Sequence, residues 1–128
     1  MVKKNVFAVD FDGTLCVNAF PKIGEQTEQH KQLLDILIDL KKQGHKLILW
    51  TNRGDNEKYK CLSEAVEWCK NKGLLFDSIN QNLPEIEETK LSGYSPKIMA
   101  DYYIDDKALQ FNNDQSIHDT LSFLNNIG

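Results

Sequence analysis

Apolar runs of strand length alternate with longer stretches of helical periodicity along this chain, and that alternation restricts the fold more than any other feature. The runs are Asn5 to Asp10, Lys46 to Thr51, Leu74 to Ile79 and Tyr102 to Ile104. Gln29 to Gln43 places Leu33, Leu34, Leu37 and Ile38 at helical spacing, with His30 and Lys41 in the same stripe and Gly44 as a stop. Asn56 to Lys72 presents Cys61, Leu62, Ala65, Val66 and Cys69 on one face before Gly73, and a last helix is predicted over Gln115 to Asn125. Strands alternating with helices of this length make βαβ units. The expected fold is α/β: a Rossmann-like three-layer α/β/α domain with a mostly parallel central sheet, with residues 1–128 forming one domain.

Such sheets bind ligands beyond the carboxyl ends of their strands, and Asp10, Thr51 and Asp105 all fall there. Asp10-Phe11-Asp12-Gly13-Thr14 follows the first run directly. Side chains alternate along a strand, so Asp10 and Asp12 can share an edge around one small ligand. Two carboxylates about 4 Å apart repel by about 4 kcal/mol at an effective dielectric near 20, so a cation or a shared proton is expected between them. The same residues also suit a type I′ hairpin, in which Asp-Gly is a favoured pair. A calcium loop is excluded, because its sixth and twelfth positions counted from Asp10 hold Leu15 and Pro21. Val17 to Thr27, with Pro21 and Gly24, reads as a loop or short hairpin over the crevice; Asn82 to Ser95 reads as an irregular or partly helical connection whose Glu85, Glu87 and Glu88 form a solvated face.

Composition narrows the partners. A formal charge of −4 argues against a nucleic-acid backbone as the main partner, so nucleic acid enters only as a substrate. Lys41, Lys42, His45 and Lys46 read as a solvated helix end rather than a basic patch. The three cysteines, Cys16, Cys61 and Cys69, are odd in number and make no Cys-x-x-Cys pair, so neither a disulfide framework nor a zinc knuckle is expected. Lys3 and Lys4 precede an apolar stretch too short for a signal peptide, and no run reaches the length of a membrane span. A cytoplasmic protein with no membrane partner is expected.

Taken in order, Asp10-x-Asp12-x-Thr14, Thr51 after Leu47-Ile48-Leu49-Trp50, Lys97, and Asp105-Asp106 after Tyr102-Tyr103-Ile104 resemble the four motifs of the haloacid dehalogenase superfamily of phosphotransferases. The resemblance spans residues 5 to 106. It implies a Mg²⁺-dependent phosphomonoesterase in which Asp10 is the nucleophile that forms an aspartyl-phosphate. Asp12 is then the general acid and base, a second aspartate that points to phosphatase chemistry rather than dehalogenation. The resemblance places Mg²⁺ among Asp10, the backbone carbonyl of Asp12, Asp105 and Asp106, with Asp105 the direct ligand and Asp106 acting through water. Thr51 and the backbone N–H of Asn52 are to donate to phosphoryl oxygens, and Lys97, with Lys90 as the alternative, is to offset phosphate charge. The separation of eight positions between Lys97 and Asp105 is shorter than in many family members. Thr14 is placed with Asn52 and Arg53 among the substrate-binding residues, where it fixes the turn or bonds its own backbone.

Arg53 has two readings, a fork onto a second phosphate or substrate carboxylate and an ion pair with Asp55 or Glu57. Lys107 balances the charge of the acidic pair beside it. The intervals after the first and second motifs leave little room for an inserted cap domain, so a capless member is implied. Its open crevice admits a phosphorylated macromolecule, or a small phosphate enclosed by a neighbouring subunit of a homo-oligomer. A receiver domain competes, but its acidic pair should follow the first strand and its phosphorylated aspartate the third, the reverse of the order here. A phosphate-binding regulatory module without turnover is the third reading.

Overall fold

In the computed structural model, which describes residues 3–89 and 96–127, four strands make one parallel sheet. These are β1 (Val6–Val9), β4 (Lys46–Leu49), β5 (Ser78–Ile79) and β6 (Tyr102–Ile104), in the spatial order β5-β4-β1-β6. A two-stranded antiparallel hairpin, β2 (Asn18–Ala19) and β3 (Lys22–Ile23), is set apart from it. The helices are α1 (Glu28–Lys42), α2 (Cys61–Asn71), α3 (Pro84–Thr89) and α4 (Asp114–Asn126). This is the Rossmann-like α/β arrangement expected, and among the described residues the only insertion after β1 is the small hairpin, with no cap domain.

Both faces of the sheet are covered, and strand alternation decides what each face receives. Val9, Leu47 and Leu49 turn to one side and pack with Leu34 and Leu37 of α1 and Ala65 and Cys69 of α2. Ala8 and Ile48 turn to the other and meet Leu83 and Ile98, with Ile86 of α3 against them. Central strands buried on both faces read as continuous apolar runs, which is why they stood out in the sequence. By contrast α4 buries none of its residues, and Leu121, Phe123 and Leu124 stay about half exposed.

Helix ends account for the largest departures from the expected elements. Thr27 caps α1 through a reciprocal box with His30, so that helix begins where its periodicity begins. The second helix was expected from Asn56 but starts five residues later. Asp55 folds forward to accept the N–H groups of Leu62 and Ser63 at 3.0 Å, and Asn56 accepts those of Lys58 and Tyr59, so 55–60 form a capping loop instead of a helical turn. The third run shortens to Ser78–Ile79, because Asp77 turns its carboxylate to the N–H of Leu47 at 2.8 Å and to the ammonium of Lys41. Lys41 is therefore an ion-pair partner, and buried His45 accepts from the N–H of Asn5 at 3.0 Å, so neither belongs to a basic patch.

Burial works to raise the Asp77 carboxyl, but hydrogen bonds from Lys41 and Leu47 outweigh it and hold it below the ordinary carboxylate value. A folded-state pKa below the unfolded one adds stability that is present above the unfolded value and lost as pH falls through the folded value. Asp77→Asn is expected to lower the unfolding free energy at pH 7 by about 1–2 kcal/mol. In urea titrations the deficit should shrink on acidification below pH 4; a deficit that holds constant would contradict the assignment.

Candidate active site

The parallel register carries four residues to one edge. Val9 pairs with Leu49 and with Ile104, and Leu49 with Ile79, so Asp10, Trp50, Asn80 and Asp105 are the first residues beyond the sheet. Backbone bonds continue the pairing one step further, from Asp10 N–H to Ile104 O at 2.9 Å, Trp50 N–H to Val9 O at 2.8 Å and Asn80 N–H to Leu49 O at 2.7 Å. From β1 the chain goes to β4 and β5 on one side and returns to β6 on the other. That reversal beside β1 is the topological switch point at which such sheets open a crevice. A cavity of about 600 Å³ lies there, lined by Asp10, Asp12, Thr51, Arg53, Asp105 and Asp106, with Asn18, Phe20, Asn52 and Lys107 completing it.

The loop after β1 is tied down from beneath. Phe11, Leu15 and Cys16 are fully buried, and the N–H groups of Thr14 and Leu15 return to the carbonyl of Phe11 at 3.1 and 2.9 Å. Anchoring these apolar residues leaves Asp10 and Asp12 on the rim. Gly13 is required twice over: its φ is +89°, and a Cβ there would come within 2.2 Å of an Asp106 carboxylate oxygen. The buried hydroxyl of Thr14 donates to Asp10 Oδ2 at 3.1 Å. Thr14 therefore orients the carboxylate of Asp10, in place of the substrate contact or local backbone bond expected of it.

Asp10, Asp105 and Asp106 each bring one carboxylate oxygen within 4.8 Å of the others. Burial is the main cause that raises the Asp10 carboxyl to about 6, with the charge of Asp105 and a hydrogen bond shared with Asp106 adding to it. The Phe11 N–H and the Thr14 hydroxyl work the other way and limit the rise. At Asp106 burial is also the largest influence and acts upward, but Lys107, 3.3 Å away, and the hydrogen bond from Asp10 bring it below the ordinary value. Asp10 thus shares its hydrogen bond with Asp106, whereas Asp12, for which a cation or a shared proton with Asp10 was expected, turns to another partner. All three groups are hard oxygen donors, a set that suits Mg²⁺.

Asp12 takes a different partner. Arg53 forks onto it, Nε to Oδ2 and Nη2 to Oδ1, both at 2.8 Å. The remaining N–H groups of the guanidinium go to backbone carbonyls: Nη2 to Lys22 at 2.9 Å, and Nη1 to Pro21 at 3.3 Å and Cys61 at 3.1 Å. All five donors are therefore used. The side chain is 0% exposed and lies between the rings of Phe11 and Phe20, at 5.0 and 5.2 Å from their centroids. Both sequence readings of Arg53 are corrected: it has no fork left for a substrate, and Asp55 is occupied in capping α2. The bond to Asp12 is the main cause that raises its pKa further, so it stays charged.

On β4's loop, Thr51 Oγ1 accepts the N–H of Arg53 at 3.1 Å, and the Thr51 N–H donates to Asn80 Oδ1 at 2.8 Å. Asn80 also donates to the carbonyl of Arg53 at 3.3 Å and holds φ at +54°. Asparagine is among the few residues that enter that region readily. Sequence reasoning missed Asn80, and its only signal was an asparagine directly beyond an apolar run. Lys97 is not brought into the cleft; it lines a separate cavity with Trp50, Tyr102 and Tyr103. Lys107 lines the carboxylate cleft in its stead, and Lys90 lies outside the described residues.

A solved structure of a conserved protein from Bacteroides thetaiotaomicron matches this chain with a TM-score of 0.66 and 35% sequence identity, over 94% of this chain and 91% of that one. The chain belongs to one family with that protein. No family model and no curated protein matches the sequence. No helix among the described residues is long and apolar enough to cross a membrane.

Two stability measurements test the geometry. Removing one partner of a buried, hydrogen-bonded ion pair leaves an uncompensated charge, so Arg53→Ala is expected to lower the unfolding free energy by about 3–5 kcal/mol. Arg53→Lys, which cannot fork, should recover only part of that in urea titrations, and a loss below about 1 kcal/mol for the alanine variant would contradict the clamp. For Asp10 the sign is reversed. A carboxyl whose folded pKa exceeds its unfolded value destabilises the metal-free protein as pH rises from about 4 to about 6. Asp10→Asn, neutral at every pH, should raise the melting temperature at pH 7.5 by about 3 °C and leave it unchanged near pH 3.5.

Proposed function

We propose that the protein is a Mg²⁺-dependent phosphomonoesterase that works through an aspartyl-phosphate on Asp10. The observation that carries this reading is the meeting of Asp10, Asp105 and Asp106 at one strand-end cleft, from distant parts of the chain. Asp10, Asp105 and Asp106, with the backbone carbonyl of Asp12, would hold the ion, with Asp105 the direct ligand as the resemblance implies. When bound it supplies Lewis-acid neutralisation of the phosphoryl oxygens and of the acidic cluster.

The chain's own groups perform the transfer. Asp10 attacks phosphorus as the carboxylate, forming a P–O bond to one of its oxygens as the ester P–O bond breaks. Thr51 accepts from Arg53 and so retains its own hydroxyl proton for a phosphoryl oxygen. The N–H of Asn52 donates beside it. Lys107 takes the charge-offsetting role first expected of Lys97.

Asp12 delivers a proton to the leaving oxygen and takes one from the water that hydrolyses the aspartyl-phosphate, which releases inorganic phosphate and restores Asp10. Both of its oxygens already accept charge-assisted bonds from Arg53, so it takes up a proton only by loosening one of them. A phosphate monoester titrates near pH 6, and its monoanion can bring that proton into the cleft. The free cysteines, with Cys16 and Cys69 buried, fit a reducing compartment, and we place the protein in the cytoplasm.

The test is phosphate release from p-nitrophenyl phosphate and a panel of phosphorylated metabolites and oligonucleotides, with Mg²⁺ or EDTA. Release should need the metal, vanish in Asp10→Asn and fall about 10²–10⁴-fold in Asp12→Asn, less for the p-nitrophenyl ester, whose leaving group needs little protonation. Lys107→Ala should cost more in kcat/KM than Lys97→Ala. Full activity in EDTA or in Asp10→Asn would overturn the reading. Stable phosphorylation without turnover would favour a receiver, and no reaction with any ester a phosphate-binding module.

A further inference from the structure

A second opening of about 520 Å³ adjoins the carboxylate cleft, and Phe20 of the hairpin turn lines both. Pro21, Tyr59, Cys61 and Gly54 form its apolar part, and Asp55 and Asn56 its polar part. The acceptors of that polar part are already engaged: Asp55 accepts from the N–H groups of Leu62 and Ser63 and from the Ser63 hydroxyl, and Asn56 Oδ1 from those of Lys58 and Tyr59. The opening therefore offers mainly ring faces. Phe20 is 57% and Tyr59 58% exposed, so two large rings stand open beside a polar cleft without contributing to the core. A Cβ on Gly54 would meet nothing within 4 Å, so the cavity is open at that point as well.

We propose that this opening is the subsite for the organic part of the ester, and that it takes a flat aromatic or heteroaromatic ring against Phe20 and Tyr59 while the phosphoryl group sits at the carboxylates. The proposal rests on the phosphatase reading for its phosphoryl end alone. A polyol or sugar in this position would surrender hydration of its hydroxyls to a wall whose acceptors are taken. A ring loses little and gains contact with two exposed aromatic side chains, each already carrying a cation over its ring, Arg53 at Phe20 and Lys58 at Tyr59. Phe20 connects the two sites, and its other contact, the Arg53 guanidinium, fixes the ring in place. The ring donor is then an arylalkyl phosphate or a nucleoside monophosphate, which share this chemistry.

The experiment compares kcat/KM for benzyl phosphate, adenosine 5′-monophosphate and glycerol 1-phosphate. All three are alkyl esters, so leaving-group acidity does not set their order. The ring-bearing esters are expected to exceed glycerol phosphate by about tenfold or more, as one stacked ring should allow. That ratio should fall to near one in Gly54→Leu, which fills the opening, and in Tyr59→Ala. Whichever ring ester is faster identifies the source. Equal kcat/KM in the unaltered protein, or a ratio that survives both substitutions, overturns the subsite. Amide NMR spectra titrated with phenylphosphonate and methylphosphonate separate this from the phosphatase reading. Shifts at Gly54 and Tyr59 with the phenyl compound alone support the subsite even where no ester is hydrolysed, and their absence overturns it.

Discussion

The site is built around a guanidinium that has no contact with water. Arg53 joins the loop after β1 through Asp12, the hairpin through the carbonyls of Pro21 and Lys22, and the start of α2 through that of Cys61. A buried charge is tolerated only where its donors are satisfied, and here every one of them is. Stretches far apart in the chain are thereby held in one geometry. The flanking rings of Phe11 and Phe20 complete the enclosure, so the residue that locks Asp12 also sets the position of the hairpin over the cleft.

The clamp divides the carboxylates into two kinds. Asp12 has its countercharge inside the protein, whereas Asp10 and Asp105 meet Asp106 with Lys107 as the nearby cation. Burial, with the neighbouring charge of Asp105, raises the Asp10 carboxyl to about 6. In the proposed phosphatase, a cation held by this cluster would in turn draw a phosphate. The Thr51 loop, braced by Asn80, completes the cleft, and in the proposed reading its hydroxyl and backbone donors meet the phosphoryl group while the ester side extends past Phe20.

Much of this is legible in the sequence. The strand ends bearing Asp10, Thr51 and Asp105 could be placed at one edge because central parallel strands are apolar on both faces and connect through helices, a pattern that depends on local sequence alone. The hairpin over the crevice, signalled by Pro21 and Gly24, and the start of α1, signalled by its periodicity, were legible for the same reason. What depended on distant partners was not. Arg53 has acidic neighbours at Asp55 and Glu57, and nothing in the sequence announces that its partner lies 41 residues earlier. Asp55 was hidden as the cap of α2 because the helical pattern reads from Asn56, ahead of the true start at Cys61. Lys97 and Lys107 flank the same strand, and only the path of the backbone decides which of them reaches the carboxylates.

The most direct test is an acid-quenched single turnover with a hydrolysable ester in Mg²⁺, followed by mass mapping of the peptides. A phosphoryl group should be found on the carboxylate of Asp10, appearing before free phosphate and decaying at the rate at which phosphate is released. Turnover that proceeds with phosphorus attached to another residue, or to none, would contradict the account.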